Sequence, residues 1–65
     1  GINAALGSAW LKKGEVRKAV PYLEAAIATS PFDPSIHCGL VQAYKQLQSP
    51  LAERAAAACS LLGGR

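Results

Sequence analysis

The two halves of this chain carry matching residues in the same order, and that repetition constrains the fold more than any other feature. Leu6 and Trp10 recur as Leu40 and Tyr44, each 34 positions further on. Ala19 and Ala26 recur as Ala52 and Cys59 at a spacing of 33, so the second helix-to-helix turn is one residue shorter. The shortening falls where Gln48-Ser49-Pro50 replaces Lys13-Gly14-Glu15. A period of about 20–50 residues marks an array in which each unit is one supersecondary element. Such a unit buries its apolar face only by stacking on a neighbour.

Helical periodicity gives four segments. In the first, Ile2, Leu6, Ala9, Trp10 and Lys13 share one face, and Gly14 breaks the run. In the second, Val16, Ala19, Val20, Leu23, Ala26 and Ile27 form an apolar stripe with Arg17, Lys18 and Glu24 outside it. Ser30-Pro31 stops this helix, because the residue before a proline is pushed out of the helical region. Pro21 lies two turns inside, where it removes a hydrogen bond and crowds the Arg17 carbonyl. The unbroken stripe predicts a continuous, slightly kinked helix; the alternative is two short helices split at Lys18–Val20. Asp33-Pro34 supplies an N-cap and a first helical residue for the third segment, which runs on Ile36, Leu40, Ala43, Tyr44 and Leu47. Ser49-Pro50 repeats the device and opens a fourth segment through Leu51, Ala52, Ala55, Ala56, Cys59 and Leu62, with Gly63-Gly64 as its end.

With 65 residues, half of them hydrophobic (51%), the chain makes one small domain or a piece of a larger one. The charged fraction of 17% suits packed helices better than a disordered tail. No apolar run approaches the ~20 residues of a membrane span. The net charge of +3 gathers in Lys12, Lys13, Arg17 and Lys18, which reads as a solvated helix end. A nucleic-acid surface shows a longer basic stripe with stacking aromatics between its charges.

The stretch Ser30-Pro-Phe-Asp-Pro-Ser-Ile-His-Cys38 favours neither of two chemical readings. His37 and Cys38 are helical neighbours pointing about 100° apart, so they do not converge on one ion as an i, i+4 pair does. A nucleophile reading would have to recruit Asp33 or Glu53 with no local signature. The stretch is therefore punctuation between helices. Cys38 and Cys59 are 21 residues apart and form no CxxC. Two free thiols on separate helices are expected, Cys38 near a groove and Cys59 between helices; a single bridge is the alternative.

The period and its residues resemble the tetratricopeptide repeat. The first unit carries Leu6-Gly7, then Trp10, Gly14, Ala19, Leu23, Ala26 and Pro31 at the family's positions. The second departs from the pattern, with Val41 in place of the glycine and Ala56 in place of the large residue. The tryptophan near each unit's start is missing, with Asn3 and His37 in its place. The resemblance implies an all-α fold of four helices in tandem antiparallel pairs, an α–α superhelix. Its units would be residues 1–33 and 34–65 of one domain, a piece of a longer chain.

The family implies a non-catalytic scaffold or adaptor, without cofactor or metal, that binds a peptide or partner helix on its concave face. Ser8, Leu11, Lys12, Gln42, Lys45 and Gln46 are the candidate groove residues, with Ala4, Ser35, Cys38 and Gly39 beside them. Side-by-side first and third helices would set Lys12 and Lys45 on one wall about 10 Å apart, suited to an acidic ligand. The fourth helix carries only Glu53 and Arg54 as charges and is expected to show an apolar strip to a neighbouring repeat or a second copy. The alternatives are a basic helical surface for nucleic acid, or the non-catalytic tail of a larger enzyme.

Overall fold

The computed structural model describes residues 1–63 and contains four helices with no strand among them: α1 Ile2–Lys12, α2 Val16–Thr29, α3 Pro34–Gln46 and α4 Ala52–Gly63. The fold class is all-α, as the periodicity predicts. Helix α2 is continuous through Pro21. Of the Gly63-Gly64 stop, Gly63 is the last residue of α4, and Gly64 lies outside the described residues. Each helix packs on the next in the chain, and α1 also reaches α3.

The two hairpin turns are built alike. After α1 the Gly14 N–H bonds to the Leu11 carbonyl and the Glu15 N–H to the Trp10 carbonyl, both at 2.9 Å. After α3 the Gln48 N–H reaches the Lys45 carbonyl at 3.1 Å and the Ser49 N–H the Tyr44 carbonyl at 2.9 Å. Both turns need a left-handed residue to close the helix end. Gly14 supplies it at φ 81°, but in the second turn Gln48 takes it at φ 56°. A side chain there costs about 1 kcal/mol or more that glycine avoids.

The helix starts after each proline also match. Asp33 Oδ1 accepts the Ser35 N–H at 2.9 Å, and Ser49 Oγ accepts the Leu51 N–H at 3.1 Å. The regular part of α4 begins only at Ala52, two residues after the Pro50 expected to open it. A tighter turn through Pro50 and Leu51 leads in, with the Ala52 N–H on the Ser49 carbonyl.

Ala19, Leu23, Ala26, Ile36, Leu40, Tyr44 and Ala55 form the buried core cluster, with Ala43 fully buried beside Tyr44. The first helix contributes a different face from the one its apolar spacing suggested. Gly7 is its buried residue, and Ala4, Trp10 and Leu11 pack on the core. Ile2, Leu6 and Ala9 stay exposed. The reason is the packing order: α3 lies between α2 and α4 and has both sides covered, whereas the outer edge of α1 has no neighbour among the described helices. At the α1–α2 contact a Cβ on Gly7 would lie 2.6 Å from Leu23 Cγ, so only glycine lets the two backbones approach this closely.

The cysteines are not free. Cys38 and Cys59 form a disulfide across α3 and α4 with their Cα atoms 4.8 Å apart. The expectation of two thiols fails because it weighed sequence separation and not the facing of the helices: the start of α3 lies against the end of α4. Shifted back by the repeat, the pair falls on Ala4 and Ala26, two small residues packed in the same core cluster. The second hairpin thus has a covalent link where the first has alanines.

Two outcomes follow from this architecture. Gln48→Gly should stabilise the chain by about 0.5–1 kcal/mol by relieving the left-handed residue, read as a raised urea midpoint with an unchanged slope. The double change Cys38→Ala with Cys59→Ala copies the small pair of the first hairpin, so packing survives and the loss is mainly loop-closure entropy. For a loop of this length that loss is about 3 kcal/mol, measurable by urea titration of the variant against the oxidised wild type.

Candidate functional site

Between α1 and α3 lies a cleft of about 160 Å³ lined by Ala4, Ser8, Leu11, Leu23, Ser35, Ile36 and Gly39. Its floor is apolar because Leu23 rises from α2 between the two helices. Gly39 keeps α3 close: a Cβ there would meet the end of Leu11 at 3.2 Å. Of the sequence candidates, Ser8 and Leu11 line this cleft, and Leu11 is also half-buried against the core. Lys12, Gln42, Lys45 and Gln46 are exposed on α1 and α3 outside the lining. Cys38, expected to face the groove as a thiol, is instead tied to α4.

A wider cavity of about 300 Å³, which sequence reasoning missed, opens between α2 and α4. Its walls are Ile27, His37, Leu40, Tyr44, Leu51, Arg54, Ala55 and Ala58. The advance signal is the pair of alanines Ala55 and Ala58 on α4, too small to close such a gap.

His37 stands at one end of this cavity. Its Nε2 lies 2.8 Å from the Pro31 carbonyl, which can only accept, so Nε2 carries the proton and donates. The ring thereby ties the α2–α3 turn to the first turn of α3. Next to it the Ser35 hydroxyl donates to Asp33 Oδ1 at 2.7 Å. That hydroxyl, and then the Ser35 N–H, hold the Asp33 carboxyl below the usual carboxylate range. Within the stretch from Ser30 to Cys38, the contacts of Asp33, Ser35 and His37 shape the turn. Among the described residues no cluster of three or more metal-capable side chains exists.

Two further features were not legible as sites. The Tyr44 hydroxyl donates to Glu24 Oε2 at 2.6 Å, joining α2 to α3. Trp10 lies on the α1 edge with Lys13 Nζ 5.4 Å and Lys18 Nζ 4.7 Å from its ring centroid. Three residues spread over two helices meet there, and only the fold brings them together. Each such contact is worth about 0.5–1 kcal/mol at an exposed site.

No described helix is long and apolar enough to cross a membrane. Neither a family model, nor a curated protein, nor a solved structure matches the chain.

Burial pushes the Tyr44 hydroxyl up to about 12, and the hydrogen bond to Glu24 and that carboxylate's charge act in the same direction. The folded state then holds the phenolic proton more tightly than the unfolded chain, whose tyrosines titrate near 10. The stabilisation is complete below about pH 10 and is lost as pH rises through about 12. Between pH 9 and pH 12 the wild type should lose up to about 2 kcal/mol more stability than Tyr44→Phe, compared by urea titration at each pH.

Proposed function

We propose that the chain is a non-catalytic protein–protein interaction module of tetratricopeptide-like helix pairs. It takes an extended or helical peptide in the cleft between α1 and α3. The observation that carries this reading is the cleft itself: an apolar floor of Leu11 and Leu23 with the cations Lys12 and Lys45 exposed on the two flanking helices. Ser8, Gln42 and Gln46 add hydrogen-bonding groups along the same helices. An apolar seat beside exposed ammonium groups favours a ligand with one or two large apolar residues and a carboxylate nearby. Each exposed charge contact contributes at most about 1 kcal/mol. The apolar contact supplies the rest, which corresponds to roughly micromolar affinity. A second contact surface is α4, where Leu61 is 82% exposed, together with Leu51 just before it at 42%. Through it the module would join a neighbouring repeat or a second copy of itself.

A displayed peptide library selected on the immobilised protein provides the test. The selected sequences should be enriched in Asp and Glu next to Leu, Phe or Trp. Their binding should fall at least tenfold with Lys12→Glu combined with Lys45→Glu. The exposed Arg17→Glu change on α2 should leave it within twofold. Selected peptides that respond to Arg17→Glu and not to the lysine pair would place the ligand on another surface.

A further inference from the structure

The exposed edge of α1 has a buried counterpart within the same molecule. Ile2, Leu6, Ala9 and Trp10 correspond, 34 positions on, to Ile36, Leu40, Ala43 and Tyr44. Ile2 is 80% exposed and Leu6 40%, while Ile36 is 3% and Leu40 1%. The sequence offers the same apolar stripe twice, and the fold covers it once.

The α3 copy is covered by α4 on one side and by α2 on the other, and the α2 side is the one for which α1 has no counterpart among the described helices. Glu24 accepts the Tyr44 hydroxyl at 2.6 Å, and Ile27 shares a cavity wall with Leu40 and Tyr44. The side of α2 that carries Glu24 also carries Val20 and Ala28, one turn away in each direction. Shifted by 33, these three become Glu53, Ala57 and Leu61 on α4. All three are exposed.

We propose that α4 of one copy docks on α1 of the next and repeats the α2–α3 interface between molecules. This rests on the reading of α4 as a contact surface and names what it contacts. Transferring the register of the Glu24–Tyr44 pair, with Ile27 beside Leu40, sets Ala57 against Trp10, Ser60 and Leu61 beside Leu6, and Glu53 beside Lys13. The substitutions complement one another. Where tyrosine meets glutamate inside the molecule, the bulkier tryptophan meets alanine between molecules, so large again faces small. Glu53 brings a carboxylate to the end of α1 where Lys13 and Lys18 flank Trp10. This is continuous with the existing fold, because the added α4 extends the succession in which each helix packs on the next.

The two surfaces differ, so the contact is head-to-tail and does not close on itself at a dimer. A single helix-on-helix contact is at the small end of protein interfaces. Association is therefore weak, with a dissociation constant of about 10–100 µM.

Sedimentation equilibrium of the oxidised 65-residue chain from 10 µM to 1 mM, in roughly decade steps suited to that affinity, provides the test. The weight-average mass should rise beyond that of a dimer without a plateau. The emission of Trp10, the single tryptophan, should shift to shorter wavelength in parallel. Leu6→Glu and Ala57→Glu each block one end at a partly or fully exposed site, and far-UV circular dichroism checks that the helices are kept. Each variant alone should remain monomeric. Mixed in equal amounts they should form a dimer and nothing larger, because one supplies an intact α4 and the other an intact α1. A mixture that stays monomeric overturns the proposal. A closed dimer lost with Ala57→Glu but kept with Leu6→Glu also overturns it, and leaves α4 as a contact surface paired with itself. A wild type that is monomeric at the highest concentration removes both this interface and self-association through α4. The peptide cleft is independent of all three results.

Discussion

Leu23 is the contact on which the first three helices converge. It rises from the middle of α2, is 3% exposed, and fills the space that Gly7 leaves on α1. A Cβ on Gly39 of α3 would also come within 3.7 Å of it. With this wedge in place α1 cannot rotate about its axis without driving a side chain into Leu23. The facing of α1 is fixed in consequence. Ala4 and Leu11 turn toward the core, and Ile2 and Leu6 toward the outside. The same side chain lines the cleft between α1 and α3.

The second hairpin solves the same problem with other parts. At the positions of Gly7 and Leu23 it carries Val41 and Ala56, so large and small have changed helices. Such an exchange keeps total volume, which cores tolerate well. It also leaves α4 with little bulk of its own; its one buried residue is Ala55. Alanine gains little from burial, at roughly 25 cal/mol per Å² of apolar surface. The disulfide between Cys38 and Cys59 fits this account. It secures a helix whose side chains are too small to hold it firmly, and it does so at the position where the first hairpin uses two alanines.

The surfaces left open follow from these two solutions. A large residue on α2 raises the cleft floor between α1 and α3, and the small Ala55 and Ala58 on α4 leave open the cavity that they line with Ile27 and Tyr44. Tyr44 closes the inner end of that cavity and binds Glu24 on α2. The outer stripes of α1 and α4 stay bare because no other described helix packs on them. The open surfaces and the core packing are therefore one arrangement, and a change of side-chain size in a hairpin would alter both.

The sequence by itself determined the local structure. Four helices, their proline-led starts at Asp33 and Ser49, the glycine turn at Gly14 and the continuity of α2 across Pro21 all follow from hydrogen-bond loss, capping and periodicity. These forces act within a few residues. The repeat also contained the disulfide, since Cys38 and Cys59 fall on the facing pair Ala4 and Ala26, but sequence separation alone did not reveal it. Of the candidate cleft, Ser8 and Leu11 were legible as lining residues, while the α2–α4 cavity and the lysines over Trp10 were not. Tertiary structure decided which of two equal stripes is buried. Ile2, Leu6 and Trp10 have the same spacing as Ile36, Leu40 and Tyr44, so periodicity makes no distinction between them. The difference lies only in whether another helix stands alongside, and that depends on where each stripe falls in the stack.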